Sequence, residues 1–142
     1  MTKRVLKPSA ALYPMPVVLV TCGDIEKPNI ITIAWTGIAC SDPPTVSISI
    51  RPDRYSHALI TQSGEFVINI PTVEMLKKVD FCGVTSGRDR NKFKECGFTA
   101  LPSAKVKPPL IAECPINLEC KVVQILPIGA HDMFLARIEV VH

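Results

Sequence analysis

Thr45–His57 reads TVSISIRPDRYSH, and its first seven residues alternate: Val46, Ile48 and Ile50 are apolar, while Thr45, Ser47, Ser49 and Arg51 are polar. A period of two sends the two sets to opposite faces of a strand. Pro52 suits the turn that follows, and Asp53 has the chemistry to cap a helix over RYSHALITQS that Gly64 would stop. The polar set admits two readings. One is an ordinary solvated face. The other is an anion site, because Arg51, Arg54, Tyr55 and Ser56 follow where a helix begins, and helix N-terminal amides point outward with partial positive charge.

Further short β-branched runs flank this segment: Val17–Cys22, Asn29–Thr36, Glu65–Ile70, Ile116–Leu126 and Met133–Val141. Each has strand composition, and the GDIEKPN between the first two suits a hairpin loop. Strands separated by turns, with few long helical patterns, imply a mainly β, closed or nearly closed antiparallel barrel. Two or three short helices interrupt it. Thr72 is placed to cap VEMLKKV, while Ser86 and Asp89 resemble a capping box opening RDRNKFKEC, which Gly97 ends. With no repeat, linker or low-complexity tract, residues 1–142 read as one domain.

Composition excludes several classes. Apolar residues make up 47% and charged residues 20% of the chain, which suits a folded globular core. No apolar run approaches the roughly 20 residues of a membrane span. The apolar part of the N-terminus is cut by Pro8, Pro14 and Pro16, which argues against a signal peptide and makes a cytoplasmic location the expectation. A net charge of +3, with Lys and Arg spread along the chain, gives no basic stripe for nucleic acid. The six cysteines form no CxxC pair, so reduced thiols acting as small hydrophobes are expected in place of a metal site.

Three other residues stand out. Trp35, the only tryptophan, ends the run NIITIAWT beside Thr36 and Gly37. An indole is most often core, but it also suits stacking near a heteroaromatic ring. Lys92 lies in SGRDRNKF with Arg88 and Arg90, either as a solvated basic face or as an anion contact. His131 falls in a Gly-containing turn, PIGAHDMF, either as a surface residue or as a contact to a redox cofactor. No triad, paired-carboxylate motif, P-loop or GxGxxG is present, so chemistry here would belong to a bound cofactor.

NIITIAWTGIACSDPPTVSISIRPDRYSHALITQSGEFVINIPT closely resembles the flavin reductase-like family, in particular its flavoredoxin branch. VDFCGVTSGRDRNKF, PLIAECPINLEC and GAHDMFLARIEVV resemble later blocks of that branch in the same order. The resemblance implies a Greek-key split β-barrel that binds FMN, usually as a homodimer with the cofactor near the subunit interface. It implies that Trp35 and Thr36 contact the ring side, that Ser49, Ile50 and Arg51 line the cofactor, and that Arg54, Tyr55 and Ser56 lie at the phosphate. Lys92 resembles the family lysine that reaches FMN, and His131 the histidine near the flavin or nicotinamide. Two departures accompany it. Family members commonly continue beyond the point matching His142, with a tail that can cover the ring. Ala130 also stands where an acidic residue is frequent, next to Asp132 on the other side of the histidine.

The expected activity is transfer of reducing equivalents from NAD(P)H through FMN to free flavin, ferric iron or a protein acceptor. An electron carrier reduced by a protein donor such as ferredoxin is the alternative. A colourless nucleic-acid-binding barrel is the third, and it lacks the basic and aromatic strand faces it would need.

Overall fold

The computed structural model describes residues 1–142. Nine strands and three helices follow the order β1 (Val18–Gly23), β2 (Pro28–Ile33), β3 (Thr36–Ser41), β4 (Pro44–Ile50), α1 (Tyr55–Ser63), β5 (Glu65–Ile70), α2 (Leu76–Val84), α3 (Lys92–Cys96), β6 (Ala100–Leu101), β7 (Leu110–Ile111), β8 (Ile116–Pro127) and β9 (Asp132–Val141), with a 3₁₀ turn over Val73–Met75. Seven strands form one antiparallel sheet in the order β2-β1-β5-β8-β9-β4-β3, and β6 and β7 pair separately. The sheet curls into a split β-barrel. Its two edge strands, β2 and β3, are consecutive in the chain and are separated only by a bend at Ala34–Trp35.

The alternation in Val46–Ile50 has the expected result: Val46, Ile48 and Ile50 are buried, and the intervening residues are half-exposed. They join Val18, Val20, Ile31, Ile33, Phe66, Ile68 and Phe134 inside the barrel. A second core lies on the opposite face of β1 and β2, where Leu19 and Ile30 pack against Val79, Cys82, Phe93 and Cys96 of α2 and α3. β1 and β2 are therefore buried on both faces, which accounts for their nearly unbroken β-branched composition. All six cysteines are free thiols, and five of them are buried.

Several local expectations are corrected. Asn29–Thr36 is not one strand: pairing with β1 ends at Ile33, and Thr36 already belongs to β3, which pairs with β4. Trp35 sits on the bend, half out of the protein at 43% exposure, and so is not the core residue that an indole most often is. Asp53 does not cap α1. The cap position is Arg54, and the Asp53 carboxylate lies 3.8 Å from Arg51 Nε. Ser86 and Asp89 form a tight turn, with the Asp89 amide donating to the Ser86 carbonyl at 3.3 Å. The helix after them starts at Lys92, where the Asn91 side chain accepts from the Lys94 amide at 3.0 Å. Gly64 and Gly97 do end their helices, in left-handed conformations with φ of 69° and 62°.

On the far side of the barrel a buried carboxylate pins the last strands. Glu119 accepts from the amides of Ala104 and Lys105, each at 2.7 Å, and contacts His142 Nε2 at 2.7 Å. Burial alone would raise its pKa. The Ala104 amide, His142 and the Lys105 amide outweigh that and hold it below the ordinary carboxylate value. A carboxylate held low stabilises the fold above its unfolded-state pKa, and that contribution fades as pH falls toward the lower folded value. Glu119→Gln should therefore cost roughly 1.5–3 kcal/mol at neutral pH. In acid denaturation followed by circular dichroism, the variant's unfolding midpoint should fall less steeply than wild type as pH drops through the carboxylate range.

Candidate functional site

Two cavities open side by side where β2 and β4 meet α1 and the segment after α2. The first, a cleft of about 250 Å³, is lined by Ile31–Trp35, Ser49, Ile50, Arg51, Arg54, Gly83 and His131. Its walls follow from the bend. Where β2 stops, Ala34 and Trp35 turn outward, and the Trp35 carbonyl accepts the Ser49 amide at 3.0 Å, which seats the indole beside the end of β4. The turn before β9 brings His131 against it, with ring centroids 4.5 Å apart at a 44° tilt. Two π faces, flat aliphatic walls and a nearby guanidinium suit a planar, polar-edged ligand.

The second cavity, about 150 Å³, is polar and is lined by Asp53, Arg54, Tyr55, Ser56, Thr85, Ser86, Gly87, Arg88 and Lys92. At the start of α1 the His57 amide turns back to the Arg54 carbonyl at 3.0 Å. The Tyr55 and Ser56 amides precede the first helical bond and are the unpaired donors of that helix end. Ser56 is almost fully buried, and its Oγ accepts from Asn29 Nδ2 at 2.8 Å, which leaves its own proton available. Arg88 lies over the Tyr55 ring, 5.7 Å from its centroid.

Lys92 completes the second cavity, and it is no solvated residue: only 3% of it is exposed. Its Nζ donates to the carbonyls of Ile30 at 2.7 Å and Cys82 at 2.8 Å, which uses two of its three protons. Burial pulls its pKa below the ordinary lysine value, and the Arg54 guanidinium adds to the effect. An anion beside such an ammonium offsets that cost. Arg54, whose Nη2 donates to the Gly83 carbonyl at 2.8 Å, lines both cavities and joins them.

Most of the residues expected from sequence thus line these two spaces. Trp35, Ser49, Ile50, Arg51 and His131 line the cleft; Tyr55, Ser56 and Lys92 line the polar cavity; Arg54 lines both. Two placements differ from expectation. Thr36 lines neither, because the bend carries it onto β3, where it pairs with Ile48. Arg51, grouped by its neighbours with the anion site but by the resemblance with Ser49 and Ile50, lies with the latter two on the cleft wall. Sequence reading missed Thr85–Gly87, the second wall of the polar cavity, which reaches α1 only through tertiary packing. Gly87 was the available signal. A Cβ there would lie 1.9 Å from Asn29 Oδ1 and 3.1 Å from Tyr55 Cδ1, so no larger residue fits without displacing the side chain that holds Ser56.

The chain and its fold resemble those of known proteins. The model of the flavin reductase like domain matches residues 10–142. A protein of Archaeoglobus fulgidus is 41% identical over 127 residues, spanning 89% of this chain and 71% of the relative. The solved structure of flavoredoxin from Desulfovibrio vulgaris (Miyazaki F) superposes with a TM-score of 0.91 at 34% identity, covering 99% of this chain and 76% of that one. An NADPH-flavin oxidoreductase of Streptomyces viridifaciens is 26% identical over 123 residues, 86% of this chain and 62% of its own.

Gly87→Ala should destabilise the protein by about 1–3 kcal/mol, the usual cost of overpacking. Urea denaturation with unchanged m-value measures it; an unaltered midpoint would show that Asn29 moves aside without cost.

Proposed function

Because the chain belongs to the flavin reductase-like family, we propose that it binds FMN across the two cavities and passes reducing equivalents from NAD(P)H to free flavin, ferric iron or a protein acceptor. The observation that carries this reading is Arg54, one guanidinium shared by a cleft with apolar and aromatic walls and a cavity rich in cations and unpaired amides. The donor set fits a phosphate monoester: the helix amides of Tyr55 and Ser56, the Ser56 hydroxyl, Arg54, Arg88 and the remaining proton of Lys92. Asp53 is the one carboxylate on that wall, 3.8 Å from Arg51. The cleft beside it has the flat walls that an isoalloxazine ring requires.

When bound, the flavin supplies the hydride and one-electron chemistry. The chain's own residues bind and orient. Arg54, Arg88 and Lys92 neutralise the phosphate, and the Ser56 hydroxyl donates a hydrogen bond to it. Ile50 and the Ser49 backbone present one flat wall, and Arg51 places positive charge at the mouth of the cleft. His131, held against Trp35, is the group assigned to meet the nicotinamide. The unit works as a homodimer in this reading, with a small molecule or a redox protein as partner. None of its helices is long and apolar enough to cross a membrane.

A second reading keeps the FMN and replaces the nicotinamide with a protein electron donor such as ferredoxin. It is favoured by the greater likeness to the Desulfovibrio flavoredoxin, at 34% identity, than to the Streptomyces oxidoreductase, at 26%.

Titration of the apoprotein with FMN, followed by flavin absorbance, should give one site per chain. Ser56→Ala should weaken it about ten- to a hundredfold, since a charge-assisted contact is worth roughly 1.5–3 kcal/mol. Wild-type affinity in that variant removes the phosphate assignment, and no FMN binding at all removes the whole reading. Anaerobic stopped-flow mixing then separates the two donors: rapid bleaching by NADH or NADPH identifies a reductase, and bleaching only by a reduced protein identifies a carrier.

A further inference from the structure

Behind Lys92, outside the two cavities, the thiols of Cys82 on α2 and Cys96 on α3 face each other with Sγ atoms 3.7 Å apart. No other pair of cysteine sulfurs makes such a contact. Cys114 meets Met75, Cys22 meets Asn29, and Cys40 lies exposed on β3 with its thiol against the Asp42 carbonyl. The two thiols also differ in access. Cys82 is sealed, whereas Cys96 forms part of the wall of a surface cavity of about 220 Å³ with Lys77, Lys78, Phe81 and Glu95. A small uncharged oxidant therefore approaches the pair from the Cys96 side.

We propose that Cys82 and Cys96 are a redox site that hydrogen peroxide converts to a disulfide, with Cys96 oxidised first and Cys82 resolving. In the first step the Cys96 thiolate attacks peroxide: an S–O bond forms, the O–O bond breaks, and the departing hydroxide takes a proton to leave as water. In the second, the Cys82 sulfur attacks the Cys96 sulfenic acid: the S–S bond forms, the S–O bond breaks, and the hydroxide leaves as water with the Cys82 proton. Two thiols lose two electrons in all and one peroxide becomes two waters. Burial, and Cys96 beside it, push the Cys82 thiol up to about 12, in keeping with its role as the second partner. Closing the sulfurs to a bond of about 2.0 Å asks for a modest approach of α3 to α2.

The bond would staple both ends of the segment that carries Thr85, Ser86, Gly87 and Arg88, the wall of the polar cavity. The same carbonyl of Cys82 that holds Lys92 lies at one end of that staple. The site does not depend on FMN being the ligand, so its test is independent of the flavin reading.

The full chain is treated with hydrogen peroxide under native conditions, alkylated in denaturant and mapped by mass spectrometry. The expected product is a Cys82–Cys96 linked peptide, with two of the six thiols lost and both recovered by dithiothreitol. Cys82→Ser should leave a sulfenic acid on Cys96 that dimedone captures, while Cys96→Ser should leave Cys82 unmodified. Amide exchange over residues 85–91 should slow several-fold in the oxidised protein. Survival of all six thiols, a link to a different cysteine, or sulfinic acid on Cys96 without a link would overturn the proposal on wild-type protein alone. Unchanged exchange over residues 85–91 would overturn the stapling.

Discussion

A buried ammonium has to be answered by oxygen atoms, and here the answer organises the molecule. Lys92 reaches past α3 to one carbonyl on β2 and another on α2, those of Ile30 and Cys82. These three elements share the outer core in which Ile30, Cys82, Phe93 and Cys96 pack. Removing the ammonium would leave two carbonyls buried without a donor. Keeping it charged requires that its one remaining proton look toward an acceptor. The helical layer outside the barrel and the polar cavity are therefore consequences of the same contact.

The second constraint is geometric. A barrel whose edge strands are consecutive must turn sharply between them, and Ala34–Trp35 is that turn. It leaves β2 facing a helical layer and sends β3 across to β4. It also aims a large ring away from the core at the open end of the barrel, against the turn before β9. The opening lies at the split, and the phosphate-sized cavity beside it lies at the start of α1, the first helix after β4. Arg54 stands where the two meet, so a ligand that spans them is gripped near its middle as well as at its ends.

How much of this was legible in the sequence depended on the range of the forces involved. The alternation of Val46, Ile48 and Ile50 reports burial on one face directly, so β4 and its polar companions could be read. Helix ends at Gly64 and Gly97 were legible because a left-handed residue is a local need. The bend at Ala34–Trp35 was not: Asn29–Thr36 is a continuous run with neither glycine nor proline, and only pairing with different partners divides it. β3 escaped notice because TGIACS is small, largely exposed and without alternation. Lys92 was ambiguous in a run of charges, since its burial is decided by carbonyls 62 and 10 positions away in the chain. The family resemblance singled out Trp35 and Thr36 together, but the bend leaves Trp35 on the cleft wall and carries Thr36 onto β3.

With only one tryptophan in the chain, the position of Trp35 has an optical consequence. Its indole lies at 43% exposure on the wall of the cleft, against an imidazole and away from the core. The tryptophan emission of this protein, excited where Tyr13 and Tyr55 do not absorb, therefore originates in one place and reports on that place alone. Anything planar that enters beside it accepts its excitation energy or changes its polarity, and global unfolding changes it differently. The molecule carries its own optical reporter at the mouth of the cleft.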